Sequence, residues 1–244
     1  MKKVYADLHL CPDLKDSEQV SRMINKASTL GYRLIAITFP MNIAEEEIRQ
    51  VRNVCDEAKI DLVTRLDVRA KTPNELVNNL RRLRRKFEVI ASMCESKNVA
   101  RQAARDRRVD LLNFPLLDFH KRFFDQAEAE LASNSLASLE IDVKSLLILE
   151  GPARIRLLSS LRREGSIAQR FHVPVVVSSG ASNVNLMRKP KELSALAFLF
   201  DLAEASAMKA VSENPSSIVK RNREKLSPRF VAPGIRIIRR GDDC

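Results

Sequence analysis

Tryptophan is absent from this 244-residue sequence and tyrosine occurs only twice. A platform of aromatic rings on which nucleobases stack is therefore not expected as the principal mode of recognition. Histidine is nearly as scarce. Three imidazoles, His9, His120 and His172, are too few for a multinuclear metal site, where several imidazoles and carboxylates together hold the ions that activate water on a phosphate ester. The four cysteines, Cys11, Cys55, Cys94 and Cys244, form no C-x-x-C pair, which argues against a zinc site or a disulfide framework and suits a reducing compartment. No apolar run reaches the length of a membrane span, and the stretch from Ser194 to Leu202 is much too short. The N-terminus runs into a strand-like segment with no apolar leader, so a cytoplasmic protein without a membrane partner is expected. No G-x-G-x-x-G follows the first strand, which weighs against dinucleotide binding. Ser178-Ser179-Gly180 is no nucleophile elbow, because that turn requires G-x-S-x-G.

What the sequence has in excess is positive charge. Lys and Arg number 42 against 31 Asp and Glu, a formal charge of +11. Arginine supplies 27 of the 42 cations, and its planar fork of donors matches phosphate oxygens better than a lysine ammonium does. A polyanionic partner, nucleic acid above all, is the reading this bias favours.

Short apolar runs alternate with amphipathic stretches along the whole chain. Strands are expected at 4–8, 34–38, 62–68, 87–92, 110–114, 138–143 and 173–178, with a late one at 235–238. Helices are expected at 17–30, 44–58, 97–106, 126–132, 152–171 (kinked near Gly165), 191–200, 204–211 and from Asn214 to about Lys225. Gly31 fits a helix stop. Thr72-Pro73-Asn74-Glu75 opens a further helix, with Thr72 as N-cap and Pro73 in the first turn. Asp118 to Phe124 reads as an ordered loop or a short helical turn. Strands that each precede a helix imply a parallel sheet. Length and strand number favour an α/β fold of TIM-like (β/α) barrel type, with room for irregular or incomplete closure. No linker divides residues 1–238, which read as one domain followed by a flexible tail, 239–244.

Two segments carry a family likeness. Tyr5-Ala6-Asp7-Leu8-His9 resembles the opening of the polymerase-and-histidinol-phosphatase barrels, although Cys11 stands where those proteins place a second histidine. The segment from Pro174 to Ala181, with Ser178-Ser179-Gly180-Ala181, and the downstream Ala210-Val211-Ser212-Glu213-Asn214-Pro215 resemble the ribonuclease P protein component 3 family of archaea and eukaryotes, over nearly the whole chain. That resemblance implies a subunit of a ribonucleoprotein endonuclease that removes the 5′ leader of precursor tRNA. It implies that the RNA subunit performs the catalysis, with Mg²⁺ serving that RNA and no cofactor or metal bound by this chain. It also implies as partners the ribonuclease P RNA, a ferredoxin-like protein subunit, the other ribonuclease P proteins, and precursor tRNA through the holoenzyme. No catalytic residue is expected in this chain. Asp7, His9, Glu95 and Asp142 are the residues that would hold a single ion if this chain bound one. A barrel metallohydrolase of phosphate esters and a general RNA-binding protein stand as the alternatives.

The basic residues fall into clusters. Five of the six residues 81–86 are Arg or Lys, a density that disfavours an isolated helix by like-charge repulsion and is better explained by an anionic partner. Leu76, Leu80, Leu83 and Phe87 form the inward stripe of that helix, so Arg81, Arg82 and Arg85 face out. Arg101, Arg105 and Arg107 repeat the theme on the next helix, its neighbour in a barrel. Residues after strands, such as Arg69, Lys71, Lys121 and Lys144, would ring the C-terminal face, with Arg188 and Lys189 beyond the seventh strand. Ser179 could offer a backbone N–H to a phosphate, or simply form a tight turn. Arg122, the 220–223 run and the late arginines 236, 239 and 240 complete the candidates. Phe119, Phe123, Phe124, Phe198, Phe200 and Leu202 are candidates for a protein interface or the core.

Overall fold

The computed structural model describes residues 4–115, 122–232 and 235–237. Seven parallel strands lie in one sheet in the order of the sequence: β1 (Ala6–Leu10), β2 (Leu34–Thr38), β3 (Asp61–Val68), β4 (Val89–Met93), β5 (Leu111–Asn113), β6 (Ser138–Asp142) and β7 (Val175–Ser178). The crossovers are α1 (Ser17–Leu30), α2 (Glu45–Glu57), α3 (Pro73–Leu83), α4 (Lys97–Arg105), α5 (Gln126–Ser135), and the pair α6 (Lys144–Ile148) and α7 (Gly151–Arg170). Beyond β7 come α8 (Pro190–Ala197), a 3₁₀ turn at Phe198–Phe200, α9 (Glu204–Ala210) and α10 (Glu213–Leu226). A small antiparallel hairpin, β8 (Phe230–Ala232) with β9 (Ile235–Arg236), follows.

Local chemistry explains these elements. The Asp16 carboxylate accepts from the Gln19 N–H to open α1, and Gly31 ends it at φ 95°, a left-handed conformation suited to glycine. Thr72 accepts from the Glu75 N–H, Pro73 fills the first turn, and Leu76, Leu80 and Leu83 bury one stripe of α3. Small residues, Ala100, Ala103 and Ala104, let α4 lie close on its strands.

Alternation along the strands sorts two apolar sets. Ile35, Ile37, Leu62, Leu66, Ile90, Leu112, Leu139, Ile141 and Val177 pack outward under the helices. Ala6, Leu8, Leu34, Ala36, Val63, Val89, Ala91, Leu111 and Val176 line the interior, where Ile218 and Val219 of α10 join them. Helix α10 thus stoppers the barrel at the N-terminal ends of the strands, here called the base. Its side chains take up backbone groups there: Asn214 donates to the Val175 carbonyl and Asn222 to that of Glu88, both at 2.8 Å.

The two edges of the sheet meet across a seam. At the C-terminal ends of the strands, the mouth, Leu10 bridges Ala181, and the Cys11 N–H donates to the Ala181 carbonyl at 2.8 Å. At the base, the Ala6 N–H instead finds the carbonyl of Val211, between α9 and α10, at 3.0 Å. The expected barrel with incomplete closure is therefore the observed one.

Element ends differ from expectation by one or two residues in most places. Helix α7 runs unbroken through Gly165. That glycine serves packing instead, since a Cβ there would lie 3.0 Å from the Phe200 carbonyl oxygen. The late strand pairs in the hairpin and not in the barrel. Helix α6 and strand β8 were not expected. The 118–124 segment falls mostly outside the described residues, as does the proposed tail.

Candidate functional site

The interior set turns polar towards the mouth. In β3 the inward positions run Val63, Arg65, Asp67, and in β6 they run Ser138, Glu140, Asp142. Arg65 and Glu140 are both fully buried and form a two-pronged pair, Nη1 to Oε1 at 2.5 Å and Nη2 to Oε2 at 2.7 Å. Nη1 also donates to the Leu8 carbonyl at 2.6 Å, and Nε to Asp67 at 2.7 Å. Ser178 and Asn113 each donate to Glu140 at 2.8 Å. Every polar face of this buried pair is thereby satisfied, the condition under which burying two charges is tolerable.

His9 enters the same cluster through an irregularity in β1. Between Asp7 and Leu10 the strand carries one residue more than β2 opposite, Ile35 to Ile37. Such a bulge re-aims a side chain, and His9 consequently faces the carboxylates of β3 and β6. Its Nδ1 lies 2.7 Å from Asp142 and its Nε2 3.2 Å from Asp67. Two carboxylates flanking both ring nitrogens call for an imidazolium, which donates from each. Burial and the charge of Arg65 oppose that proton, but Asp142 and Asp67 outweigh them and hold His9 well above its ordinary value. Asp67 and Asp142 are held low in spite of burial by Arg65 and His9. Asp7 behaves differently: burial pushes its carboxyl up, against N–H bonds from Ser179 and His9.

His9, Glu140 and Asp142 bring three potential ligand atoms within 4.8 Å of one another, a spacing a metal ion could use. The donor set does not fit one as it stands, because both Glu140 oxygens carry the Arg65 fork and His9 Nδ1 is bonded to Asp142. A guanidinium occupies the centre where a cation would gather these acids. Of the four residues named as the possible donors of a single ion, Glu95 stands apart, paired with Arg69 at 2.6 Å.

The base has a different electrostatic character. Crossover helices run from mouth to base, so the C-terminal ends of α3 and α4 bring Arg81, Arg82, Arg84 and Arg85 together with Arg105 and Arg107 at that pole. Arg81, Arg82, Arg85 and Arg107 are exposed and make no ion pair among the described residues. Arg105 is exposed and, among the described residues, reaches only Gln102.

Other candidates lie elsewhere. Arg101 is held by Asp125 at 2.6 Å. Lys144 donates to Ser182 at 3.1 Å. Arg188 folds back on the carbonyls of Asn185 and Met187, and Lys189 is exposed at the start of α8. Lys121, His120 and Phe119 lie outside the described residues, as do Arg239 and Arg240. Two expectations need correction. Ser179 is fully buried, its N–H bonded to Asp7 and its hydroxyl to the His9 carbonyl, so it closes the seam and faces no ligand. Arg122 is buried against Glu164. Gly180 sits at φ 61°, where a Cβ would lie 3.1 Å from that of Asp142. Phe124, Phe200 and Leu202 are core, Phe123 packs against it, and Phe198 is exposed. Arg65 and Glu140 escaped the sequence reading, although charges two apart on one face of a buried strand, Arg65 with Asp67 and Glu140 with Asp142, were the available signal.

A model of the family described as RNase P subunit p30 matches residues 4–227. The chain is 30% identical over 236 residues to ribonuclease P protein component 3 of Methanosarcina barkeri, a match spanning 96% of this chain and 95% of that protein. It is 26% identical over 196 residues to the same component of Methanocaldococcus jannaschii, spanning 80% of this chain and 84% of that one. A chain in the cryo-EM structure of an archaeal ribonuclease P with mature tRNA has a similar fold, with a TM-score of 0.85 at 21% identity, covering 97% of this chain and all of that one.

Proposed function

The chain belongs to the RNase P subunit p30 family, and from that footing we propose that it grips RNA phosphates through arginines on its outer helices and has no catalytic centre of its own. It is a protein subunit of ribonuclease P, the ribonucleoprotein that processes tRNA 5′ ends. The observation that carries the RNA-binding role is the convergence of Arg81, Arg82, Arg85, Arg105 and Arg107 on one pole, exposed and without acidic partners among the described residues. Cations left unpaired on a folded surface favour a polyanion, and contacts to phosphates position RNA without reading its bases. The catalytic RNA, a ferredoxin-like subunit and the other ribonuclease P proteins are the proposed partners, with precursor tRNA reached through the holoenzyme. Catalysis and its Mg²⁺ belong to the RNA in this reading, and this chain binds no cofactor. A cytoplasmic location goes with that role, and no helix among the described residues is long and apolar enough to cross a membrane.

Reconstitution tests the reading. Adding this protein with its ferredoxin-like partner to the cognate RNA is expected to restore cleavage of precursor tRNA at low Mg²⁺. No gain in cleavage, or phosphodiester hydrolysis by the protein alone, would overturn it.

A further inference from the structure

Barrel proteins commonly present their working surface at the mouth. Here the mouth is a poor place for a polyanion. Its interior holds Asp67, Glu140 and Asp142 against Arg65 and His9, so acids exceed cations even before Asp7 is counted. Of the described cations in the loops that follow strands there, Arg69 is paired with Glu95, Lys144 is bonded to Ser182 and Arg188 is folded back on carbonyls, which leaves the scattered lysines Lys15, Lys71 and Lys189.

The base is the opposite case, and α10 adds to it. Arg84, the C-cap of α3, and Arg221 of α10 share one buried carboxylate, Asp110, at 3.0 and 3.3 Å. The other acids nearby are already matched, Asp61 and Glu88 by Arg223, and Asp106 by Arg108. Lys225, one helical turn beyond Arg221 and exposed, lies in the field of this surplus. Partial burial and the charges of Arg221, Arg84 and Arg107 depress its ammonium, with Asp110 alone opposing them. Beside it a cavity of about 510 Å³ is lined by Arg85, Lys225, Ser227, Pro228, Phe230 and Val231. Two cations on the wall of an open recess, Arg85 and Lys225, with Arg84, Arg107 and Arg221 close enough to act on Lys225, make a place for phosphate oxygens.

We propose that the RNA-facing surface of this barrel is its base, where Arg84, Arg85, Arg107, Arg221 and Lys225 seat a phosphodiester backbone in the recess between the end of α3 and the segment after α10. This rests on the RNA-binding reading above and adds its polarity: the stoppered pole meets RNA, and the mouth faces away from it. Arg84 and Arg221 hold the recess in shape through Asp110, while Arg85, Arg107 and Lys225 are the side chains free to reach phosphates.

The test uses the full chain and the ribonuclease P RNA of the same organism, transcribed in vitro, with affinity measured across a salt series. Arg85→Gln/Lys225→Gln is expected to flatten the dependence of log affinity on log salt by about 1 for each cation removed. Arg81→Gln/Arg107→Gln is expected to do the same. Arg69→Gln/Lys144→Gln, at the mouth, is expected to leave slope and affinity unchanged. Unchanged urea midpoints would keep the comparison free of folding effects, and the two independent base pairs guard against one of them failing to fold. A loss at the mouth pair, or none at either base pair, would overturn the proposal while leaving RNA binding intact. Base variants that keep the RNA slope but release a protein subunit would overturn it in favour of a protein interface. No RNA binding by the unaltered chain would instead overturn the reading beneath it.

Discussion

His9 stands between two carboxylates, its Nδ1 2.7 Å from Asp142 and its Nε2 3.2 Å from Asp67. A single ring therefore bridges β1 to β6 and β3 in the barrel interior. Because its native pKa is raised well above 6.5, its contribution to stability is complete below the unfolded value of about 6.5 and disappears as pH rises through the native one. The urea midpoint of the protein is expected to fall on the alkaline side. In His9→Gln, which cannot hold the proton, that part of the fall should be missing. Equal alkaline slopes in the two proteins would contradict the imidazolium.

The Arg65–Glu140 pair gives an asymmetric expectation. Arg65→Met leaves Glu140, Asp67 and Asp142 crowded without their cation, and removing one partner of a buried pair costs about 3–5 kcal/mol. Arg65→Met/Glu140→Leu is expected to regain a large part of that loss. A double-mutant cycle by urea unfolding measures the coupling, and independence of the two substitutions would refute it.

Gly180 and Gly31 separate strain from contact. Both have positive φ, 61° and 95°, and an alanine in that region costs about 1–2 kcal/mol. Nothing lies within 4 Å of a Cβ at Gly31, whereas Asp142 crowds one at Gly180. Gly180→Ala is expected to be the more destabilising in thermal unfolding, and its excess over Gly31→Ala reports the Asp142 contact.

Glu128 is a stability liability at neutral pH. It is fully buried, its Oε1 has no hydrogen-bond partner among the described residues, and the Arg101 Nε stands 3.7 Å away. Burial and then Asp125 push its carboxyl up to about 8. A carboxyl raised in the folded state weakens the fold as pH climbs from the unfolded value towards the native one. Glu128→Gln, which can still accept the Asp125 N–H, is expected to be the more stable protein above about pH 5, by a margin widening to a few kcal/mol near pH 8. A constant margin across that range would rule out the titration.

Divalent ions give a further check. With Arg65 already gathering the acids, Mn²⁺ in millimolar excess is expected to leave the melting temperature of the isolated chain unmoved. A ligand that bound the native state would raise it by mass action, and a clear rise abolished by Asp142→Asn would establish an ion site.

The architecture was legible because each crossover repeats one simple pattern. The stripe of Leu76, Leu80 and Leu83, the Thr72 cap and the Gly31 stop are all local signals, readable within a turn or two of chain. The basic clusters at 81–86 and 105–108 were legible too, but not the pole they occupy, which depends on helix direction relative to the strands. The interior cluster was the least visible. Arg65 meets Glu140 across 75 residues of sequence, and His9 turns inward only because of an extra residue in β1, which no alternation pattern announces. Ser179 and Arg122 misled for the same reason: small or basic residues after strands look exposed until the fold supplies their partners.

The stopper at the base is the last helix among the described residues. Ile218 and Val219 reach the barrel lining only after all seven strands have been made. During synthesis the apolar lining of the lower barrel therefore stays wet, and the Ala6 edge unsealed, until Val211 and the helix after it have left the ribosome. Corking comes as a late event, and a chain interrupted before α10 would display a greasy, open-ended tube to whatever chaperone or protease meets it first.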